Sequence, residues 1–229
     1  MSRAIVIPTY NEAGNIGPLV EGIRTACGDV AIIVVDDGSP DGTGALAEAM
    51  DSVEVIQRGS KQGLGTAYIE GFTRALAQGF SEIAGMDADF SHEPAVLPAL
   101  FNLLETYDVA IGARYVPGGA VREWGVHRRM LSRTANFVAR RWLGMPVHDL
   151  TSGFRAYRRE ALERIGLDGI RACGYAFLVE VLYRCHRRGC TMAETPIVFH
   201  DRRQGASKLD RKEIAAGVVN LFRLRFGGP

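Results

Sequence analysis

The sequence predicts an α/β domain, a mostly parallel central sheet flanked by helices, on three observations. Short apolar runs alternate with amphipathic stretches through the first half of the chain, the rhythm of right-handed βαβ crossovers. One run, Val30–Val35, is apolar at every position, as a strand covered on both faces requires. Two of the runs stop at acidic pairs, Asp36-Asp37 and Asp87-Ala88-Asp89. That places carboxylates at the carboxyl rim of the sheet, where open α/β folds bind ligands.

Taken in order, Arg3–Ile7 reads as a first strand and Asn11–Gly14 as a turn. Ile16, Leu19, Val20 and Ile23 then mark the buried face of a helix. Val30–Asp36 is the central strand, and Asp41-Gly42-Thr43 starts a helix through Ala49. Val53–Gln57 is a short strand, followed by Gly63-Leu64-Gly65 and a helix to about Leu76. Glu82–Asp87 and Val109–Arg114 are strands separated by a helix from Pro94 to about Thr106. Beyond Arg114 the rhythm changes. Pro117-Gly118-Gly119 opens a loop, a basic helix runs from about Arg128 to Leu143, and Leu150–Gly153 lead into a short strand. A helix over Tyr175–Arg188, a strand over Cys190–Phe199, a mobile polar loop at His200–Leu209 and a last helix, Asp210–Arg225, complete the order.

The chain has 229 residues, 47% hydrophobic and 23% charged, the size and balance of one large soluble domain. Its 27 basic and 26 acidic residues leave a net charge of +1, which predicts no nucleic-acid binding. Cys27, Cys173, Cys185 and Cys190 have no C-x-x-C spacing and read as free thiols of a reducing compartment. Met1-Ser2-Arg3 leads straight into a strand rather than a signal peptide. No apolar stretch reaches the ~20 residues of a membrane span. The expected location is the cytoplasm, or the cytoplasmic face of a membrane as a peripheral protein.

Asp87 and Asp89 are the strongest chemical signal. In an extended segment residues two apart share a face, so both carboxylates can reach one ion. Hard oxygen ligands favour Mg²⁺ or Mn²⁺, which usually sit between carboxylates and substrate phosphates. A nucleoside diphosphate carrying a further group is the implied ligand. His92 is a candidate third ligand, although a histidine just before Pro94 is expected on the surface. In Pro8-Thr9-Tyr10-Asn11-Glu12, Tyr10 can lie flat on a base and Glu12 can accept hydrogen bonds from a base or ribose. The same pentapeptide can equally be a capped turn, with Pro8 ending sheet pairing. In Val35-Asp36-Asp37-Gly38-Ser39, Asp37 can bond a base edge, while Asp41 and Thr43 read as an Asx turn capping the next helix.

These motifs, with Phe90-Ser91-His92-Glu93-Pro94, Gly112-Ala113-Arg114-Tyr115, Thr151-Ser152-Gly153-Phe154-Arg155 and Gly205-Ala206-Ser207-Lys208, resemble the family 2 glycosyltransferases of the GT-A fold. Within that family they are most similar to the polyprenyl-phosphate (dolichol-phosphate) mannosyltransferases. The resemblance covers nearly the whole chain. It implies a GT-A catalytic domain over 1–209 and a C-terminal amphipathic helix over 210–229. It implies an inverting displacement that moves mannose from GDP-mannose to a polyprenyl or dolichyl monophosphate. By position in the motifs, Pro8, Tyr10, Glu12, Val35 and Asp37 would hold the nucleoside, with Asp87, Ala88 and Asp89 at the ribose, metal and diphosphate. Arg114 would sit near the sugar or diphosphate. Arg128, Arg202 and Lys208 would gather phosphates, a task that suits guanidinium forks.

A phosphate acceptor is already ionised at neutral pH, whereas a sugar hydroxyl needs a base close to its proton. Asp149 is the acid nominated for that second case, with a loop-bracing carboxylate the favoured reading. A UDP-sugar-dependent transferase acting on a lipid phosphate or a hydroxyl is therefore the nearest rival. A nucleotidyltransferase should carry a Gly-rich basic loop where this chain has Pro8–Glu12, and a non-catalytic module has no use for paired acids. The Gly205–Lys208 segment is expected to close over bound phosphates. In the last helix Ile214, Val218, Leu221, Phe222 and Leu224 stand among Arg211, Lys212, Arg223 and Arg225. That pattern fits a membrane surface as well as a packed helix. A separate anchoring subunit is a further expectation.

Overall fold

The structure is a computed structural model that describes residues 1–170, 174–201 and 211–227. The elements run β1 (Arg3–Thr9), α1 (Ile16–Cys27), β2 (Ala31–Asp36), α2 (Thr43–Glu48), β3 (Val53–Gln57), α3 (Leu64–Ala77), β4 (Glu82–Gly85), α4 (Leu97–Leu103) and β5 (Val109–Ala113). They continue with β6 (Ala120–Val121), α5 (Val126–Leu143), β7 (Arg155–Arg158), α6 (Arg159–Ile165), α7 (Tyr175–Arg187), β8 (Met192–Pro196), β9 (Val198–Phe199) and α8 (Arg211–Phe226). Seven strands form one sheet in the order β3-β2-β1-β4-β7-β5-β8, and β6 pairs with β9 in a small second sheet.

The apolar runs account for the middle of the sheet. Alternate residues of β1 and β2 enter opposite cores: Ala4, Val6, Ile33 and Val35 on the side of α3 and α7, Ile5, Ile7, Ile32 and Val34 on the side of α1 and α4. With both faces covered, no strand position can be polar until the rim, which is why the acids appear there and not earlier. On the α3 side the approach is close. A Cβ on Gly71 would fall 2.3 Å from Val6 Cγ1, so only glycine lets α3 settle on β1 at this point.

The structure corrects several expectations and adds detail to others. β7, the short strand after Gly153, runs antiparallel between β4 and β5, pairing Ala84 with Ala156 and Ala110 with Ala156. The long strand ending at Phe199 is two strands, because Pro196 closes β8 and Ile197 turns the chain into β9. The expected helix from Pro94 is a 3-10 turn, Pro94–Val96, followed by the shorter α4. α5 starts at Val126, and α6 had no counterpart in the sequence reading. Pro8 does not end β1. It pairs with Val35, and Thr9 with Asp36. Val6 O, pointing to the β4 side, accepts Met86 N–H, so Pro8, two residues on, also faces that side. There β4 has already ended, and the missing N–H costs no ladder bond.

α8 packs on α7 and α5. Glu180, buried in α7, receives Arg184 at 2.8 Å and Arg223 of α8, and Asn220 Nδ2 donates to Ala176 O at 3.3 Å. Among the described residues Cys27, Cys185 and Cys190 are free thiols, and no helix is long and apolar enough to cross a membrane. The loop expected before α8, with Arg202 and Lys208, lies outside the described residues over 202–210.

Gly71→Ala is expected to lower unfolding free energy by about 1–3 kcal/mol in urea titration. Adding Val6→Ala in the same chain should return part of that loss, because it opens the space the new methyl needs.

Candidate active site

The carboxyl ends of β1, β2, β4 and β5 and the loop before β7 converge on one rim. At its β1–β2 side Asp36 is a brace: Oδ1 accepts Thr9 Oγ1 at 2.9 Å and Ser39 Oγ at 2.5 Å, and Oδ2 accepts Ser39 N–H at 2.9 Å. Asp37 faces the other way. Its Oδ1 accepts Gln62 N–H and Arg58 Nη1, each at 2.8 Å, and its Oδ2 accepts Gly63 N–H at 2.8 Å. Asp37 thus shapes the turn into α3 at this side of the rim. Tyr10 is partly exposed beside it, with Lys61 Nζ 3.5 Å from the ring centroid. That face is already one that attracts a planar or cationic partner. Glu12 accepts Asn15 Nδ2 at 2.7 Å. Asp41 binds Thr43 N–H at 3.1 Å and Thr43 Oγ1 at 2.5 Å, the Asx turn expected there. The weak burial raises its pKa, but these bonds outweigh that and hold its carboxyl below the ordinary range. Val35 is fully buried with its side chain beneath α3, so contact with a ligand there would fall to backbone.

At the end of β4 the chain places Asp87 and Asp89 at the rim, with Ala88 between them turned into the lower core. Asp89 Oδ1 accepts Ser91 N–H at 3.0 Å across a left-handed Phe90, φ 58°. Asp87 Oδ1 accepts the Tyr68 hydroxyl at 2.7 Å. Burial, then the Asp87 charge, pushes the Tyr68 hydroxyl well above 10, so it stays a donor. Gly153 borders the same carboxylate: a Cβ there would lie 3.4 Å from Oδ2 and 3.5 Å from Oδ1. Among the described residues no group of three or more His, Cys, Asp or Glu could hold a metal alone. Two hard carboxylates without such a cage fit Mg²⁺ or Mn²⁺ completed by water and phosphate oxygens, rather than a closed structural site.

His92 is not a surface residue. Only 2% of it is exposed, its ring stacks on Phe154 at 4.9 Å, and Nδ1 has no hydrogen-bond partner among the described residues. Burial holds its pKa below the ordinary histidine value despite Asp87 and Asp89 nearby, so it is neutral at pH 7. Phe199, on β9, gathers the basic side of the site. His92 meets its edge at 5.6 Å, Trp124 at 5.3 Å, and the Arg114 guanidinium lies 5.3 Å from its centroid. Arg128, in the first turn of α5, lies 3.9 Å over Trp124 and pairs with Asp201 at 3.1 Å.

Arg114 is anchored by Asp149. Nε and Nη2 donate to the two carboxylate oxygens at 2.7 Å each, and the Arg114 backbone N–H adds 2.9 Å. Nη2 also reaches Thr151 Oγ1 at 2.7 Å. Asp149 is fully buried. Burial alone would raise its pKa; the Arg114 charge and hydrogen bonds outweigh that and hold the carboxyl below its ordinary value. Its own N–H is taken by Glu194 Oε1 at 2.9 Å, and Asn136 Oδ1 takes Leu150 N–H at 2.8 Å.

The rim therefore brings together Pro8, Tyr10, Glu12, Asp37, Asp87, Asp89 and, through Phe199, Arg114 and Arg128. Arg202 and Lys208 lie outside the described residues. Sequence reasoning missed Tyr68, Phe199, Trp124 and Arg58. Tyr68 reads from sequence as one more core aromatic of a helix, and only its spacing from Gly63-Leu64-Gly65, one turn into α3, carries a signal.

The sequence model of Glycosyl transferase family 2 matches residues 4–166. Polyprenol monophosphomannose synthase of Mycolicibacterium smegmatis is 47% identical over 223 residues, spanning 95% of this chain and 84% of the relative. Undecaprenyl-phosphate mannosyltransferase of Micrococcus luteus is 41% identical over 222 residues, spanning 95% and 91%. Among solved structures, glucosyl-3-phosphoglycerate synthase from Mycobacterium tuberculosis, in complex with Mn²⁺, UDP and glucosyl-3-phosphoglycerate, superposes with a TM-score of 0.72. It is 23% identical, and the match covers 100% of this chain and 81% of that one, which establishes the GT-A-like fold. A rim with paired acids on a sheet of this topology, and a family match that takes in its strands from β1 to β7, identify the chain as a glycosyltransferase belonging to family 2.

Proposed function

We propose that the chain transfers mannose from GDP-mannose to a polyprenyl or dolichyl monophosphate with inversion, giving a β-linked lipid-phosphate sugar. One observation carries the acceptor class: Asp149, the acid nominated as base for a hydroxyl, spends both oxygens on Arg114. A monophosphate needs no base. The names of the two relatives, at 47% and 41% identity, support the same acceptor and sugar.

In this reading Tyr10 and Glu12 receive the nucleoside beside the turn that Asp37 braces, with backbone at Pro8 and Val35. Asp87 and Asp89 would hold Mg²⁺ or Mn²⁺, and the backbone at Ala88 would border the ribose. When bound, that cation supplies positive charge against the departing diphosphate. Arg114 keeps a fixed orientation because Asp149 and Thr151 grip it, so its field toward developing charge requires no reorganisation. Arg128, Arg202 and Lys208 are assigned to phosphates by motif.

A lipid acceptor also needs a surface to be met on. α5 exposes Met130, Phe137 and Val138, and α8 exposes Val219, Phe222 and Phe226. Trp142 bridges the two helices, 5.3 Å from Phe222 and 6.0 Å from Phe226. Arg129, Arg133, Arg141 and Arg225 are exposed on the same helices. Apolar side chains interspersed with arginines suit an anionic membrane surface.

Labelled sugar offered as GDP-mannose or UDP-glucose, with a short polyprenyl phosphate, tests the reaction. Organic-phase label from GDP-mannose alone, abolished by EDTA and reduced at least about 100-fold in Asp89→Asn, is expected. Label from UDP-glucose alone would replace the sugar and keep the mechanism. For the membrane face, Phe137→Ser with Phe226→Ser should lower co-sedimentation with phosphatidylglycerol vesicles several-fold and leave the melting temperature near wild type. Equal binding to phosphatidylcholine and phosphatidylglycerol would remove the arginines from the account.

Asp149→Asn separates brace from base. Removing the carboxylate charge beside the buried Arg114 should cost roughly 3–5 kcal/mol. Because the folded pKa is depressed, this contribution is present above the unfolded value of about 3.9 and is lost as pH falls through the folded one. Wild-type stability should therefore drop below about pH 4 more steeply than that of the variant. A base would instead reveal itself as a missing limb in the pH–rate profile, with stability little changed.

A further inference from the structure

We infer that Tyr68 is a positioning residue for the cation: its hydroxyl fixes the carboxylate of Asp87 in the orientation from which that carboxylate binds metal. The inference rests on the reading of Asp87 and Asp89 as the cation site.

Tyr68 sits in the second turn of α3, only 1% exposed. Its ring is fixed on three sides. Phe177 of α7 stacks on it at 6.1 Å with planes 6° apart, and Phe72 tilts against it at 5.5 Å. The third side is β4, where a Cβ on Gly85 would come within 2.8 Å of Tyr68 Cε1. Packing of this kind leaves the ring no alternative rotamer. Phenylalanine would satisfy every one of those contacts, so the aromatic cluster gives no reason for the hydroxyl. A buried phenol oxygen is costly unless it is bonded, and the partner is Asp87 Oδ1 at 2.7 Å.

That one bond has a chemical consequence. A carboxylate at a strand end turns freely about its Cβ–Cγ bond. With Oδ1 tied to a hydroxyl that packing holds in place, the Asp87 carboxylate takes its orientation in part from α3. Gly153 lies beside both oxygens, and the absence of a side chain there leaves them room: a Cβ would stand 3.4 Å from Oδ2, 3.5 Å from Oδ1 and 3.6 Å from the Tyr68 hydroxyl. Asp89, by contrast, is oriented within its own loop by Ser91 N–H. The two carboxylates are thus referred to different bodies, one to a helix of the core and one to the loop. Outer groups that orient a metal ligand in this way typically contribute about 10–100-fold to affinity or activity.

Binding of Mn²⁺, followed by loss of the free-ion electron paramagnetic resonance signal, tests this without turnover. It is measured with GDP present in wild type, Tyr68→Phe, Phe72→Leu, Asp87→Ala and the double variant Tyr68→Phe/Asp87→Ala. Tyr68→Phe should weaken Mn²⁺ binding about 10-fold and leave metal-free GDP binding unchanged. Phe72→Leu, which loosens the same cluster and keeps the hydroxyl, should lower the melting temperature and cost clearly less Mn²⁺ affinity than Tyr68→Phe. In the double variant, loss of the hydroxyl should add nothing to the effect of Asp87→Ala. Wild-type affinity in Tyr68→Phe, an equal loss in Phe72→Leu, or full additivity in the double variant overturns the inference. Should wild type itself bind no Mn²⁺ beside GDP, the cation site falls and the inference falls with it.

Discussion

The bidentate pair between Arg114 and Asp149 is the constraint on which this site depends. Arg114 follows β5, and Asp149 belongs to the loop that leads into β7, so the pair locks the ends of two segments 35 positions apart. Glu194, from β8, secures Asp149 from behind through its N–H, and Asn136 of α5 holds Leu150. An ion pair this deep is costly to desolvate, and apolar side chains could fill its volume at less expense to stability. Its value lies in geometry: it holds a guanidinium at a rim without letting it turn. Phe199 and Tyr115 then meet a cation whose orientation is already decided.

The acidic side follows a different logic. Asp36 and Asp37 are consumed by hydroxyls, backbone N–H groups and Arg58, and they build the loop walls. Asp87 and Asp89 stand at the rim of β4, where Tyr68 and Ser91 respectively donate to Oδ1. Four carboxylates on neighbouring strand ends thus divide into two that shape the pocket and two suited to a hard cation. His92, stacked on Phe154 and edge-on to Phe199, lies near both Asp87 and Arg114 without adding charge.

Much of this was legible in the sequence, for a physical reason. Strands buried on both faces must be apolar throughout, so β1, β2, β4 and β5 announce themselves, and the acids mark where burial stops. The second half was harder to read because its arginines do not behave as surface residues. Arg155 is 1% exposed, donating to Leu178 O and Leu150 O at 2.7 Å each, and Arg114, where the rhythm changes, is also buried. In sequence, Arg155-Ala156-Tyr157-Arg158-Arg159-Glu160 looks like a charged surface stretch, which hid both the direction of β7 and the whole of α6. His92 misled for the mirror-image reason: beside a proline and a glutamate it looked solvated, and only distant Phe154 and Phe199 cover it. Contacts that join residues a hundred positions apart leave no local pattern.

The antiparallel strand in the middle of the sheet has a consequence for how the chain is made. β3, β2, β1 and β4 can assemble as soon as they leave the ribosome, and β5 follows soon after. None of them can bring β5 into the sheet, because the strand that joins β4 to β5 is not synthesised until residue 158. Until then the edge of β4 and both edges of β5 are bare, each apolar and each a template for pairing with another chain. Closure across such a sequence separation is slow. The nascent protein passes through an interval in which its own missing strand is what protects it from its neighbours, and any copy interrupted within that interval is an aggregation seed rather than a smaller enzyme.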